Sequence, residues 1–163
     1  EQWQWALHLL AFASSRGLAP DVVAFSAAIS ACRAGRQWER ALRLFGELRA
    51  RRLRPHAATW NAVASACARG LQAPRALAAL EEMRVESAEP DVVTYGAALS
   101  ACEKGQQWDA ALGRLGEMLH RGLDADEIAC NAAVSACEKG AMWREALELQ
   151  KHAGGGGSLV TFS

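Results

Sequence analysis

The sequence predicts an all-α protein in which helix-turn-helix repeats stack into a solenoid. One observation is a Ser-Ala-Cys tripeptide whose cysteine recurs every 35 residues, at Cys32, Cys67, Cys102 and Cys137. A second is a glycine with the same period, at Gly35, Gly70, Gly105 and Gly140. The third is an Ala-Leu pair that begins at Ala6, Ala41, Ala76, Ala111 and Ala146. A fixed period of this length indicates stacked units that each contact mainly their neighbours.

These landmarks divide the chain into units. Residues 2–21 match the second half of a unit, and complete units are expected at 22–56, 57–91 and 92–126. An incomplete unit is expected at 127–153. The segment 154–163 begins with four glycines. Each glycine disfavours a helix by about 1 kcal/mol relative to alanine, so we expect a flexible tail there.

The composition fits packed helices without identifying a partner. Hydrophobic residues make up 51% of the chain, which argues against disorder. The formal net charge is zero, so the strongly basic balance typical of nucleic-acid-binding domains is missing, although charge can still segregate to one face. No stretch approaches the roughly 20 apolar residues of a membrane-spanning helix.

The periodic cysteines are expected to be small buried core residues. Packed helices lie roughly 10 Å apart, whereas a disulfide requires Cα atoms within about 7 Å. Cys130 lies outside that series. It occupies the register position of three aromatic residues and is expected to be a smaller core substitute for them: Phe25, Trp60 and Tyr95. The histidines have no ligand spacing, so no metal site is expected.

Helices can be assigned in chain order from apolar spacing. Residues 2–16 are predicted to form a helix that ends at Gly17, with an apolar face made of Trp5, Leu9, Leu10 and Phe12. In the first complete unit, residues 22–33 carry a stripe of Val22, Phe25, Ile29 and Cys32. Asp21 is expected to cap this helix, and Gly35 to supply the left-handed residue that stops it.

The second helix of that unit is predicted at residues 37–51. Its expected buried side is made of Trp38, Ala41, Leu42, Phe45 and Leu48. Units two and three repeat both helices. Pro74 is compatible with the second helix of unit two because it falls in the first turn.

Unit three shows the whole repeated motif. Residues 92–102 read Val-Val-Thr-Tyr-Gly-Ala-Ala-Leu-Ser-Ala-Cys, and a glycine, Trp-x-x-Ala-Leu, Glu-Met and Arg-Gly-Leu follow. This pattern, over about residues 2–152, resembles the pentatricopeptide repeat family in its regular 35-residue form. Tetratricopeptide repeats have 34 residues and a different signature. The chain departs from the pattern at His56, where the family has Asp, and at Ala125, where it has Pro.

The resemblance implies a right-handed superhelix that binds single-stranded RNA, one base per repeat. In this family the fifth and last residues of a unit read the Watson–Crick edge of the base. Here these pairs are Ser26 with His56, Asn61 with Asp91, and Gly96 with Asp126, and Asn131 has only Thr161. Asn with Asp is the family's uridine-preferring pair. Such a pair can discriminate between bases because Asn both donates and accepts hydrogen bonds, whereas Asp only accepts.

The resemblance also assigns stacking and phosphate contacts. The second-position side chains would sandwich the bases: Val23, Ala58, Val93 and Ile128. A cation near the end of each first helix would contact phosphate: Arg69, Lys104 and Lys139, with Ala34 lacking it in unit one.

Each of these residues also has a purely structural interpretation. Asp91 and Asp126 precede helices, so capping alone explains them. Val23, Val93 and Ile128 could pack against the neighbouring unit, and Asn61 could simply be an exposed helix residue. Lys104 and Lys139 each follow a glutamate and could belong to a solvated face of mixed charge.

The function that follows from the resemblance is sequence-specific binding of single-stranded RNA. The protein would act as an adaptor in organellar RNA processing, stability, editing or translation, in a chloroplast or mitochondrion. The alternative is a helical-repeat scaffold for protein–protein interaction. No glycine-rich phosphate loop, metal cluster or paired nucleophile indicates an enzyme, and no cofactor, small-molecule substrate or membrane partner is expected.

Overall fold

The computed structural model describes residues 2–125 and 127–140, except for the side chains at 128, 133 and 136–140. Within these ranges the secondary structure is entirely helical. The helices, joined by short turns, are α1 (Gln2–Ser15), α2 (Val22–Ala34), α3 (Trp38–Ala50), α4 (Ala57–Arg69), α5 (Ala73–Val85), α6 (Val92–Lys104), α7 (Trp108–His120) and α8 (Glu127–Gly140). The predicted all-α solenoid is confirmed.

The starts of the helices follow from their sequences. The carboxylate of Asp21 accepts a hydrogen bond from the backbone of Ala24 at 2.8 Å and caps α2, as predicted. Asp91 caps α6 in the same way and forms a capping box with Thr94. His56 precedes α4 at the equivalent place and makes no side-chain capping bond. Two first helices therefore gain the stabilisation of an acidic N-cap, about 1 kcal/mol each, and α4 does not.

The helices form two layers that differ in how closely they pack. The first helices of successive units pack directly on one another, α2 on α4, α4 on α6 and α6 on α8. The second helices of neighbouring units instead reach each other through long charged side chains, as in the ion pair between Arg49 of α3 and Glu82 of α5. Because the first helices approach more closely, they form the inner, concave layer of the stack.

The core lies between these two layers. Its largest fully buried side chains include Phe25, Trp60 and Tyr95, each at the fourth position of its unit. Phe45 packs edge-on against Trp60 with ring centroids 4.6 Å apart. Cys130, at the fourth position of the next unit, is half-buried.

The turn after each first helix differs from the prediction. Gly35 has φ −79°, so the expectation that it supplies the left-handed residue is wrong. The left-handed residues are its successor and the equivalents of that successor in the next units: Arg36, Leu71 and Gln106. The backbone N–H of Gln37 still donates to the carbonyl of Cys32, which closes the helix in a Schellman-type turn.

The periodic glycine is instead required by packing between units. A Cβ added at Gly35 would overlap the indole of Trp3, and one added at Gly70 would overlap that of Trp38. At Gly105 the added atom would lie 2.9 Å from the Cβ of Ala73, which takes the tryptophan's place. Sequence periodicity identified the glycine but not its neighbour, because the contact joins residues about one unit apart.

Each of these tryptophans also contacts an arginine of the next unit. The Arg40 guanidinium lies 4.2 Å from the Trp3 ring centroid, and that of Arg75 lies 5.2 Å from the Trp38 ring centroid. Such cation–π contacts contribute about 0.5–1 kcal/mol at exposed sites. Between units two and three, alanines stand at both equivalent positions, Ala73 and Ala110. That junction therefore has neither the tryptophan nor the arginine.

The predicted apolar face of α1 is mostly uncovered. Leu10 is buried, whereas Trp5, Leu9 and Phe12 are 69%, 62% and 52% exposed. In the later units the residues equivalent to Trp5 and Leu9 contact the preceding unit, as Arg40 contacts Trp3 and Arg114 contacts Glu81. No described residue lies on that side of α1.

Candidate nucleic-acid interface

The concave layer exposes the second residue of units one, two and three. Val23 is 67% exposed and Val93 is 55% exposed, and Ala58 is also exposed. The interpretation that the two valines pack against a neighbouring unit is therefore wrong, because most of each side chain faces solvent. These apolar side chains are available to a ligand on the inner face.

Asn61 and Asp91 are brought together by the contact between α4 and the start of α6. The Asn61 Nδ2 donates to both carboxylate oxygens of Asp91, at 3.2 and 2.9 Å. The Thr94 hydroxyl contacts the Asn61 Oδ1 as a donor and lies 2.9 Å from the Asp91 Oδ1. Both Asn61 and Asp91 are half-buried. The two residues thus form a pair whose orientation is set by hydrogen bonds.

The surroundings of Asp91 favour its ionised form. Desolvation is the largest single effect and acts in the opposite direction. Hydrogen bonds from the Thr94 backbone, the Asn61 side chain and the Val93 backbone together outweigh it and lower the pKa of Asp91 below 3.8. The pair therefore combines an amide with a carboxylate that stays charged at neutral pH.

The corresponding pair in unit one is not assembled in this way. Ser26 donates to the carbonyl of Val22 at 2.7 Å and shares a hydrogen bond with the hydroxyl of Thr59. His56 is exposed, and its side chain makes no capping bond. Ser26 is therefore bonded to the next unit's third residue and not to His56.

The remaining predicted residues are less constrained. Gly96 offers no side chain, and a Cβ added there would meet nothing within 4 Å. Asn131 is exposed on α8. Asp126, the side chains of Ile128 and Lys139, Thr161 and the predicted tail 154–163 lie outside the described residues.

A cationic groove runs along α6 and past the C-terminal ends of α2 and α4. It has a volume of about 630 Å³ and includes Val93, Gly96 and two serines among its lining residues. Its charged lining residues are all basic: Arg33, Arg36, Arg69 and Lys104. Arg69 and Lys104 were expected as phosphate contacts, and the structure places them beside this groove.

Arg33 and Arg36 were missed by the sequence comparison. Unit one has Ala34 at the position where the later units carry Arg69 and Lys104, and its cations lie one and two residues away from that position. Arg33 precedes it by one residue, and its buried Nε has no hydrogen-bond partner in the described part of the chain. Allowing a cation one or two residues away from the register position would have found both.

Five glutamates pair with arginines on the second helices or in the turns that follow them: Glu47, Glu81, Glu82, Glu86 and Glu117. The second helices are linked by Arg49 with Glu82 and Glu86, and by Arg84 with Glu117. These carboxylates are therefore neutralised away from the groove. A chain with zero net charge thus presents a basic inner surface.

The thiols and histidines add no second site among the described residues. Cys32, Cys67 and Cys102 are free and buried, as core residues are expected to be. Desolvation raises the pKa of Cys67 and that of Cys102 to about 11, so both thiols are protonated at neutral pH. The described residues hold no group of three or more potential metal ligands. Their helices are also too short or too polar to cross a bilayer.

Two models of one protein family match most of the chain. The model described as a pentatricopeptide repeat domain matches residues 8–70. The model described as a PPR repeat matches residues 58–87 and 93–123. No curated protein sequence matches the chain.

Solved structures with the same fold include RNA complexes. The PPR domain of Arabidopsis thaliana protein-only RNase P 1, in complex with tRNA, matches with a TM-score of 0.84 and 15% identity, over 93% of this chain and 80% of that chain. At that identity the match shows the fold alone. The repeat protein PPR10, in complex with an 18-nt psaJ RNA element, matches with a TM-score of 0.74 and 29% identity, over 94% of this chain and 23% of that chain.

A further structure of PPR10 is also similar. The structure of PPR10 from maize matches with a TM-score of 0.64 and 26% identity. That match covers 93% of this chain and 27% of PPR10. The chain therefore spans about a quarter of the length of that repeat protein.

Proposed function

Because this chain belongs to the pentatricopeptide repeat family, we propose that its concave face binds single-stranded RNA, with one base at each repeat. The protein would act as a non-catalytic adaptor in organellar RNA processing, stability, editing or translation. Its compartment, a chloroplast or mitochondrion, is proposed from the family alone.

The observation that supports this proposal most strongly is the cationic groove. Arg33, Arg36, Arg69 and Lys104 line one continuous surface that has no acidic lining residue. RNA carries one negative charge per nucleotide, so a row of unpaired cations fits its phosphate backbone. Val93 and Gly96 line the same groove, which places the proposed base contacts beside the proposed phosphate contacts.

Base reading is proposed first for unit two. Asn61 and Asp91 are hydrogen-bonded to each other, and a carboxylate has about four lone-pair sites. Asp91 can therefore also accept the N3–H of a uracil while Asn61 offers its amide to a uracil carbonyl. The pair would disfavour cytosine and adenine, which present acceptors where uracil presents that N–H. Guanine also presents an N–H there, and the choice of U over G is proposed from the family's preference for this pair.

The other proposed readers have weaker support. Gly96 supplies no side chain for the pair with Asp126, and Ser26 is bonded to Thr59 and not to His56. Val23 and Val93 are exposed enough to sandwich bases, whereas Ala58 offers less contact area. We therefore expect selectivity to be strongest at unit two.

The test is fluorescence anisotropy with short single-stranded RNAs in which each position carries each of the four bases. We expect a preference for U at one position, and we expect Asn61→Thr to move that preference toward G. Affinity should fall in Arg33→Gln and Arg36→Gln, and the salt slope should fall by about 0.7 for each lost phosphate contact. Arg43→Gln, an exposed arginine of α3, is the matched control and should bind like the native chain.

Two outcomes would refute the proposal. Equal binding by Arg33→Gln, Arg36→Gln and Arg43→Gln would show that the groove is not the binding surface. Absence of RNA binding at low salt would reject RNA as the ligand, and would leave the protein-binding scaffold as the function to pursue.

A further inference from the structure

The third residue of each unit is paired with the fifth residue of the unit before it. Thr59 and Thr94 occupy this third position and are 0% and 1% exposed, and they are the buried polar side chains among the described residues. Thr59 bonds the Ser26 hydroxyl, and Thr94 bonds the Asn61 Oδ1. Each threonine therefore reaches across a unit boundary to a proposed base reader.

At the boundary between units three and four, neither the fifth residue nor the following third residue has a polar side chain. Gly96 stands at the fifth position there and Ala129 at the following third position, where it is fully buried. A buried hydroxyl without a partner would cost about 1–3 kcal/mol, so a threonine suits this site only when the preceding fifth residue is polar. Within one chain, the two positions thus change together.

The hydroxyl of Thr94 also determines which way the Asn61 amide points. Because Thr94 donates to Oδ1, the Nδ2 is directed at the carboxylate of Asp91. A flipped amide would place its oxygen against that carboxylate and lose both hydrogen bonds. The network therefore presents one fixed order of donor and acceptor to the inner face.

We propose that Thr94 and Thr59 are positioning residues, which orient the base readers Asn61 and Ser26 of the preceding unit. This inference rests on the proposed function of the same surface. The residues that read one base would then belong to two units. Asn61 and its last-position partner Asp91 belong to unit two, whereas the orienting Thr94 belongs to unit three. Specificity at a unit would depend on its C-terminal neighbour.

The first test needs no RNA. In Thr94→Val the hydroxyl is lost with little change in shape, whereas Thr94→Ser keeps it. We expect the NMR signals of the Asn61 side-chain amide to shift and exchange faster with water in Thr94→Val, and to stay close to native in Thr94→Ser. Thr94→Ala is a second variant that also lacks the hydroxyl. Alanine is compatible with this site, since Ala129 occupies the equivalent position in the next unit.

The second test measures base selectivity. At the base that faces unit two, we expect Thr94→Val to lower the preference for U over C by about three- to tenfold, the effect of one lost hydrogen bond, and Thr94→Ser to retain it. Thr59→Val is the matched control. It should leave the base at unit two unaffected and change selectivity only at unit one.

The outcomes separate the two proposals. Native-like Asn61 amide signals in both Thr94→Val and Thr94→Ala would overturn the positioning role, whether or not RNA binds. Altered signals together with unchanged selectivity in a chain that binds RNA would overturn it as well. Absence of RNA binding by the native chain, with the expected amide shifts present, would reject the proposed function while the positioning contact stands.

Discussion

The carboxylate of Asp91 accepts one hydrogen bond from the backbone of Thr94 and another from the side chain of Asn61, so one residue serves both α6 and the proposed reading pair. The sequence offered capping and base reading as alternatives for this residue. The structure shows that capping is present, and it places the amide partner at the same carboxylate. The two interpretations are therefore compatible at this position.

This arrangement makes stability depend on pH at Asp91. Its folded-state pKa is depressed, so the stabilisation is present above the unfolded-state pKa near 3.9 and is lost as the pH falls through the folded-state pKa. We expect Asp91→Asn to be less stable than the native chain at pH 7, with the difference shrinking below about pH 4. Thermal unfolding across this pH range measures it.

Asp21→Asn is the matched control for that experiment. Asp21 also caps a first helix, but it is exposed, and within the described part of the chain its carboxylate is hydrogen-bonded to the backbone of Ala24 alone. Its replacement should cost less, since asparagine caps nearly as well as aspartate. A deficit for Asp91→Asn that is the same at pH 3 and pH 7 would contradict the assigned charge effect.

Between helices, the contact of an indole with a glycine fixes how closely successive units approach. Trp38 at the start of α3 lies over Gly70 at the end of α4, and Trp3 lies over Gly35 in the same way. The period of the glycine was visible in the sequence. Its partner was not, because helical spacing identifies a buried face but does not show which residue of another unit covers it.

Glycine-to-alanine substitutions at Gly70 and Gly46 should separate the effect of packing on stability from the effect of helix propensity. We expect Gly70→Ala to lose about 1–3 kcal/mol of unfolding free energy, because its Cβ overlaps the Trp38 ring. Gly46→Ala, in open space within α3, should gain up to about 1 kcal/mol, since alanine favours a helix over glycine. Chemical denaturation measures both. A gain in both variants would show that the indole does not constrain the glycine.

For the molecule as a whole, charge is sorted between the two layers. The sequence predicted the solenoid, the helices and most of the core, because a 35-residue period and helical spacing are properties of the chain alone. The family resemblance pointed to two cations of the basic groove, Arg69 and Lys104, but not to Arg33 and Arg36. The zero net charge of the chain conceals that Glu82 and Glu117 pair with arginines between the second helices, whereas Arg33 and Lys104 face the groove.

Salt should therefore affect binding far more than folding. Between about 50 and 500 mM salt, we expect RNA affinity to fall by at least tenfold, as expected when several phosphate contacts release counterions. The midpoint of thermal unfolding should change by only a few degrees, because exposed ion pairs such as Arg51 with Glu47 contribute at most about 1 kcal/mol each. Affinity that is insensitive to salt would argue against the groove.

The junction between units two and three has a mechanical consequence. Where the other described junctions insert an indole and a guanidinium, this one brings Ala73 against Gly105 and has Ala110 in place of the arginine. In a stack of repeats each unit moves against its neighbours, and this motion is larger where less side-chain contact area joins the two units. We expect the turn after α6 to move more freely against α5 than the equivalent turns move against Trp3 and Trp38, while α4 and α6 stay joined by the hydrogen bonds of Asn61 with Asp91 and Thr94. Local motion would therefore concentrate on the second-helix side of this junction.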